Sequence, residues 1–524
     1  MTGRHRRLAP VLMVFALAAL LRIVLADRED LWADEIFSLA VATGHSLEHP
    51  AEAAVPALGD FVEPAGAMPA AAFGRYLEHD LPPAGMTRVV RAVLRSDTSP
   101  PLYYLVLSAW TRAAGTTDFA LHALSAAFSL ATLPLLWLLG LRLGGPRAAT
   151  IACVLFAVAP VSLYYSVEAR MYAMIWFCST LTAWLSLRLH DRGGIVTLAL
   201  WVLGTTAGFL THYFFTFVWA ACVVWLALRP GRCPRAWLAG AVAVALLAIT
   251  PWYLRLPASL AQWRITGHWL DGLPAPGKLV GAPLTLGWAL LSGRGVWGGA
   301  KAADALAAIV VAAAGLAWLA RARRGVRENG RDLVWLWVIA ACTGPVVFDL
   351  LRGTSTSLIA RYALAGMPAG MLLTGLAIGA LPVRTGGVAL GVLIAAWAPG
   401  LRAVFGSGTR AWEPYRQVAS ELDAWSTPDD LVLVHSIPSG VLGIARYLHP
   451  DVPLAAWVGQ LGRRRVPADI QTLLAGRRRV ALVRIHDVGE PAPEETWLRA
   501  HATLLRERKR AGAAIVYFEV PTRR

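Results

Sequence analysis

The sequence predicts an α-helical polytopic membrane protein of about eleven spans with a small C-terminal α/β soluble domain. Three observations predict it. The 524 residues are 56% hydrophobic, with a mean hydropathy of +0.52, whereas soluble domains sit nearer ~45–50% apolar. Apolar runs recur through the first 400 residues, most of them near the ~20 residues a helix needs to cross the hydrocarbon core. Only 16% of residues are charged, and the cations behind the +16 net charge fall in short clusters between those runs and in the C-terminal fifth. A nucleic-acid binder can carry the same balance, but this distribution is that of a multi-pass membrane protein, so no nucleic-acid partner is expected.

Runs suited to spanning lie near 8–26, 119–141, 148–166, 171–189, 195–211, 213–228, 236–254, 303–320, 333–350, 359–380 and 383–399. Two more, 101–114 and 279–292, are too short to cross alone and read as interfacial or re-entrant helices. The N-terminal run resembles a signal peptide but is long and lacks a clean small-residue cleavage site, so it reads as a retained anchor. With Arg4, Arg6 and Arg7 placed in the cytoplasm, the connections 142–147, 188–192, 229–235, 321–331 and the turn near Arg384 fall on the same side, and each carries Arg. Five cysteines lie in or beside apolar runs without C-x-x-C spacing, which offers neither a disulfide framework nor a zinc site.

This parity puts the loop 27–118, the turn at 164–174, His212, the loop 255–302, the turn at 351–361 and residues 401–524 outside the cell membrane. The chain thus divides into a membrane part, 1–400, and an extracytoplasmic part, 401–524. In the latter, "DLVLV" (430–434), "RVALVRI" (479–485) and "AAIVYFEV" (513–520) read as strands, and 414–425, 438–448 and 466–475 as helices.

Each polar cluster on the outer side has a plain reading and a chemical one. In "LWADEIFSLA" (31–40), Asp34 and Glu35 are either a solvated turn or helix start, or a general base or metal ligand at a low-dielectric boundary. In "RSDTSPPLYYLVLSAW" (95–110), Asp97 and Ser99 either cap the helix that the Pro-Pro pair permits or line a cavity, with Tyr103, Tyr104 and Trp110 as interfacial aromatics. In "YYSVEARMYAM" (164–174), Glu168 and Arg170 are either a self-neutralising pair or functional groups at membrane depth, with Arg170 shaped to grip a phosphate. His212 in "THYFF", Arg255, Arg264, His268 and Asp271 in the 255–272 loop, and Arg361–Tyr362 in "SLIARYALAGMP" complete the set.

Taken together, the acidic pair, the D-x-S-P-P-L-Y-Y stretch, the S-x-E-A-R-M-Y-A turn, T-H-Y and R-Y with a following proline resemble the integral-membrane GT-C glycosyltransferases. The nearest branch looks like the bacterial relatives of protein O-mannosyltransferases, of the aminoarabinose lipid A transferase and of Rhizobium lipopolysaccharide sugar transferases. The matching motifs run from residue 31 to about 368. The resemblance implies inverting transfer of a sugar from a polyprenyl-phosphate donor to a cell-envelope glycan, lipid or protein at the outer face. It implies Asp34 as catalytic carboxylate with Glu35 as companion. Asp97, His122, Glu168, Arg170, Tyr172, His212, Arg361 and Tyr362 become the donor-phosphate and substrate-binding set. His122 stands where the family often has arginine. Asp34 and Glu168 are the carboxylates that could instead hold a divalent cation. A polyprenyl-lipid flippase or a non-catalytic assembly scaffold are the competing classes. A transporter would place ionisable groups at mid-span in paired halves, and this chain shows no repeat.

Overall fold

The computed structural model describes residues 2–97, 99–229, 231–267, 269–293, 301–322, 330–406, 413–486, 492–510 and 512–521. His268 lies outside them. The chain forms two compact units, each assembled from separated segments.

The first unit comprises Met1–Arg28, His122–Leu254 and His268–Thr409. Its elements are helical, and each apolar run predicted as a span falls on helix. Among the described residues, six helices are long and apolar enough to cross a membrane: Ala9–Arg28, Asp118–Val158, Arg235–Leu260, Lys301–Leu319, Arg331–Arg352 and Ala360–Gly379. A seventh is obtained if Val383–Ala396 and Ala398–Phe405, bent by 45°, count as one span. Ile195–Phe209 and Phe215–Leu228 are shorter apolar helices. The runs 119–141 and 148–166 join into one helical stretch broken at Gly145, whose φ of 80° only glycine adopts readily, followed by Pro146 as a helix start. The Pro276–Ser292 helix covers the predicted short run at 279–292.

Small residues set the closest packing here. A Cβ on Gly375 would stand 2.7 Å from the Ala152 nitrogen, and one on Gly379 would stand 2.8 Å from the Ala148 Cβ. The four-residue spacing puts both glycines on one helix face, so two backbones approach without side chains between them. A polar side chain holds the N-terminal helix. Arg22 is fully buried and donates to Ser129 Oγ (2.9 Å), to the carbonyls of Ala18 and Ala157 (3.2 Å each) and Phe156 (3.4 Å), and to Ser162 Oγ (3.4 Å). Val158 ends one helix and Pro160 begins the next, so carbonyls left over at that break find their donors in Arg22.

The second unit comprises Glu29–Leu121, Arg255–Gly267 and Arg410–Arg524. Its six-stranded sheet has the order β1-β3-β2-β4-β6-β5, with β1 Met68–Pro69, β2 Asp430–His435, β3 Pro453–Trp457, β4 Arg479–Ile485, β5 Thr503–Arg510 and β6 Ala513–Glu519. β3, β2 and β4 run parallel, β1 pairs antiparallel with β3, and β6 and β5 pair antiparallel beyond β4. Helices Pro438–Tyr447 and Ala468–Leu474 make the parallel crossovers. Leu431, Leu433, Trp457, Ile470, Leu482, Leu498 and Phe518 fill one core. β5 is exposed throughout and carries Arg506, Arg508, Lys509 and Arg510, charges that keep an open edge from pairing with another chain.

The boundary read from sequence at 400/401 therefore does not describe this unit, because the loop 29–121 packs with the C-terminal residues. β1 extends their sheet, Glu63 accepts from the Val458 N–H at 2.7 Å and pairs with Arg464, and Asp118 accepts from Arg416, Arg446 and Tyr447.

Replacing Arg22 by leucine should leave the Ala157 carbonyl without its buried side-chain donor, while the Phe156 carbonyl keeps the Ser162 hydroxyl. The expected loss is roughly 2–3 kcal/mol, read as a lower thermal midpoint of the purified protein; an unchanged midpoint would show that the helix break finds other donors.

Candidate active site

Asp34 and Glu35 lie in the first turn of the Ala33–Ala42 helix of the second unit. The helix forms because Ile36, Leu39, Ala40 and Val41 bury one side of it, and because Trp32, in an extended conformation, starts it. Glu35 is fully buried and accepts from the Trp32 N–H at 3.2 Å. It closes the reciprocal half of a capping box, which gives this carboxylate a structural task. Asp34 remains partly exposed and offers its carbonyl to Ser38 Oγ at 2.8 Å.

Asp97 belongs to the same unit. Its Oδ1 accepts from the Ser99 N–H at 2.9 Å and its Oδ2 from the Tyr104 hydroxyl, so it organises the entry to the Leu102–Ala114 helix. A second buried carboxylate here escaped the sequence reading. Glu48 accepts from the Thr266 N–H at 2.8 Å, and burial pushes it up to about 7 against the opposing pull of Thr266 and Arg264. Its context, "SLEHP", has no period or motif to mark it.

C-terminal residues also reach the start of the Asp34 helix. Glu413 accepts from the Ala33 N–H and from Tyr415 Oη at 3.2 Å. His486 Nε2 stands 2.9 Å from Tyr415 Oη and 3.4 Å from Glu413 Oε1. Burial lowers His486 to about 4, with the charge of Asp34 opposing that shift. Asp34 therefore lies within electrostatic reach of the group. His486 directly follows β4, and ligand groups favour the carboxyl ends of parallel strands; that signal could have found it.

Of the remaining predicted residues, Arg255 and Arg264 belong to the second unit, and His122, Glu168, Arg170, Tyr172, His212, Asp271, Arg361 and Tyr362 to the first. Glu168 and Arg170 are both buried on the turn between the Pro160–Ser166 and Tyr172–Arg192 helices, where the Arg170 N–H donates to the Glu168 carbonyl at 2.7 Å. An aromatic chain runs from this turn. Tyr165 meets Tyr172 at 5.1 Å between ring centroids, Tyr172 meets His212 at 6.2 Å, His212 meets Phe214 at 5.6 Å, and Phe214 meets Tyr362 at 5.3 Å. Arg361 stands 5.9 Å over the Tyr362 ring and 5.2 Å over Trp269. The charges of Glu168 and Arg361 both act on Tyr165. Residues far apart in sequence thus form one cluster with two guanidinium groups, a buried carboxylate and several hydroxyls. His122, also buried in this unit, donates from Nδ1 to the Ala26 carbonyl at 3.1 Å, tying the helix to the end of the first span. Among the described residues, no three His, Cys, Asp or Glu side chains stand together to hold a metal ion; Asp34 and Glu168 belong to different units.

Two comparisons bear on this arrangement. Residues 98–254 match the family described as dolichyl-phosphate-mannose-protein mannosyltransferase, a stretch that starts one residue after Asp97 and holds the rest of the D-x-S-P-P-L-Y-Y motif with the S-x-E-A-R-M-Y-A and T-H-Y motifs. The fold also resembles those of solved structures. In particular, it is similar to ArnT from Cupriavidus metallidurans in the apo state, at 14% identity and a TM-score of 0.56 over 97% of each chain. The structure of that ArnT bound to undecaprenyl phosphate matches at 13% identity and a TM-score of 0.55, over 97% of this chain and 98% of the other. No curated protein sequence matches the chain.

Glu48 supplies a pH prediction. Its ordinary value is 4.5 and its folded value about 7, so the fold holds the proton more tightly than the unfolded chain does. Its contribution is complete below pH 4.5 and is lost as pH rises through about 7. Raising the pH from about 5 to about 8 should cost on the order of 2–3 kcal/mol from this group. Glu48→Gln, whose amide oxygen still accepts from Thr266, should flatten the thermal midpoint over that window relative to wild type. Parallel curves would contradict the assignment.

Proposed function

We propose that this protein transfers a sugar, a hexose or a pentose, from a polyprenyl-phosphate donor to a glycan, lipid or protein of the cell envelope, with inversion at the anomeric carbon. The reading that goes with it is a multi-pass plasma-membrane protein of about eleven spans with residues 401–524 outside. Its main support is a fold matched over nearly the whole chain by a protein crystallised with undecaprenyl phosphate. The buried Glu168–Arg170 turn and its neighbour Arg361 supply the cationic chemistry such a donor needs.

The acceptor hydroxyl attacks the anomeric carbon from the face opposite the phosphate. A new C–O bond forms while the bond to the phosphate oxygen breaks, and the lipid phosphate leaves with the electron pair. The hydroxyl proton passes to the Asp34 carboxylate, acting as general base. Arg170 and Arg361 meet the charge that grows on the phosphate, where planar guanidinium groups match its oxygens. Tyr172, His212 and Tyr362 lie on the aromatic chain between these arginines and orient the donor. Glu168 steadies the turn that carries Arg170. Cations already present as side chains make a divalent ion dispensable in this scheme.

The test supplies labelled undecaprenyl-phosphate mannose, glucose and aminoarabinose to the purified protein and follows transfer or hydrolysis. Asp34→Asn should lower turnover by ~10²–10⁴-fold while retention of undecaprenyl phosphate stays at the wild-type level. Arg170→Ala or Arg361→Ala should raise the KM for donor roughly ten- to a hundredfold, the worth of one charge-assisted bond, and EDTA should leave the rate unchanged. A flippase would move labelled lipid across vesicles without cleaving it, and a scaffold would do neither.

A further inference from the structure

The three backbone N–H groups before Asp34 have separate acceptors. The Leu31 N–H donates to Tyr447 Oη at 2.9 Å, the Trp32 N–H to Glu35, and the Ala33 N–H to Glu413. Two of these acceptors come from the C-terminal segment, about 380 or more positions away in sequence. These N–H groups lead into the first turn of the Asp34 helix, where no earlier turn offers them carbonyls, and side chains accept from them instead. The position of Asp34 therefore depends on side chains that its own segment lacks.

Glu413 is itself held in place. Its side chain is 11% exposed, and both oxygens are engaged: Oε2 by Ala33 and Tyr415, Oε1 beside His486. Tyr415 is fully buried. His486 has a φ of 59°, the sole left-handed value of a non-glycine residue among those described, and strained backbone of this kind gathers where surrounding structure fixes a functional group. Tyr447 Oη in turn donates to Asp118 Oδ2 at 2.7 Å, and Arg446 and Arg416 share that carboxylate.

We infer that Glu413, braced by Tyr415 and His486, is a positioning residue for Asp34: the C-terminal domain fixes the first turn of the helix that carries the general base. Glu413 does not touch substrate in this scheme. It acts through the Ala33 N–H, and a displacement of about 1 Å at a base is enough to cost ~10²-fold in rate. The inference rests on the proposed role of Asp34 and assigns to the C-terminal domain a task that the membrane motifs do not suggest.

The test uses the full-length protein and whichever member of the undecaprenyl-phosphate mannose, glucose and aminoarabinose panel the wild type turns over. Glu413→Ala should lower kcat about ten- to a hundredfold with the KM for donor within about twofold. Glu413→Gln, whose amide oxygen can still accept from Ala33 and Tyr415, should restore most of it. Tyr415→Phe keeps the carboxylate but removes one of its braces and should lower kcat several-fold, so the inference stays testable if Glu413→Ala does not fold. Amide hydrogen exchange over residues 31–40, read without substrate, should rise in Glu413→Ala and stay at wild-type level in Asp34→Asn. Wild-type kcat in Glu413→Ala and Tyr415→Phe, a loss confined to KM, failure of Glu413→Gln to rescue, or unchanged exchange would each overturn it. If transfer survives Asp34→Asn, or the wild type turns over nothing in the panel, the proposed function fails and takes this inference with it. If Asp34→Asn abolishes transfer while the Glu413 variants behave as wild type, only the inference fails.

Discussion

Moving an ionised side chain out of water costs several kcal/mol unless polar partners replace the solvent. The buried charges of this protein follow that constraint closely. Arg22 finds five acceptors around one helix break. Glu63 takes a backbone N–H and Arg464. Asp118 draws together Arg416, Arg446 and Tyr447, and Asp430 binds Arg479 and Thr427. Each of these groups is also a joint between segments distant in sequence, because the partner that neutralises a charge is seldom a near neighbour. Burial of charge, in this protein, is what assembles the chain.

The same constraint separates the two carboxylates of the acidic pair. Glu35 is drawn inward, where it accepts from the Trp32 N–H. Asp34, one residue earlier and so turned about 100° around the helix, keeps access to solvent. At the turn that carries Glu168 and Arg170, both residues are buried and the Arg170 N–H donates to the Glu168 carbonyl.

Much of this was legible in the sequence, for physical reasons. Apolar runs in the membrane part announce their helices by length alone. β2, β4 and β6 were legible because strands buried on both faces read as continuous apolar runs. β3, "PLAAW", was missed because alanine gives little strand signal, and β5, "TLLRERKR", because an exposed edge carries charge where a period of two was sought. Asp34, Glu168, Arg170 and Arg361 were legible as clusters of ionisable residues at the ends of apolar runs. Glu413, His486 and Glu48 were not, since each acquires its setting from partners that only folding brings near.

The loop 29–121 and the C-terminal residues complete a single sheet, with β1 on its edge and Glu63 bonded to Val458 across 395 positions. A ribosome adding roughly 5–20 residues per second needs on the order of 20–80 seconds to cover that distance. Throughout that interval the loop has been made and its partners have not. Its acids Glu63, buried, and Asp118, half-buried, wait in water until the last fifth of the chain supplies their partners. Completion of that sheet is thereby tied to completion of synthesis, because Glu413 and Tyr447, which accept from the Ala33 and Leu31 N–H groups, are made in the last stretch of the chain.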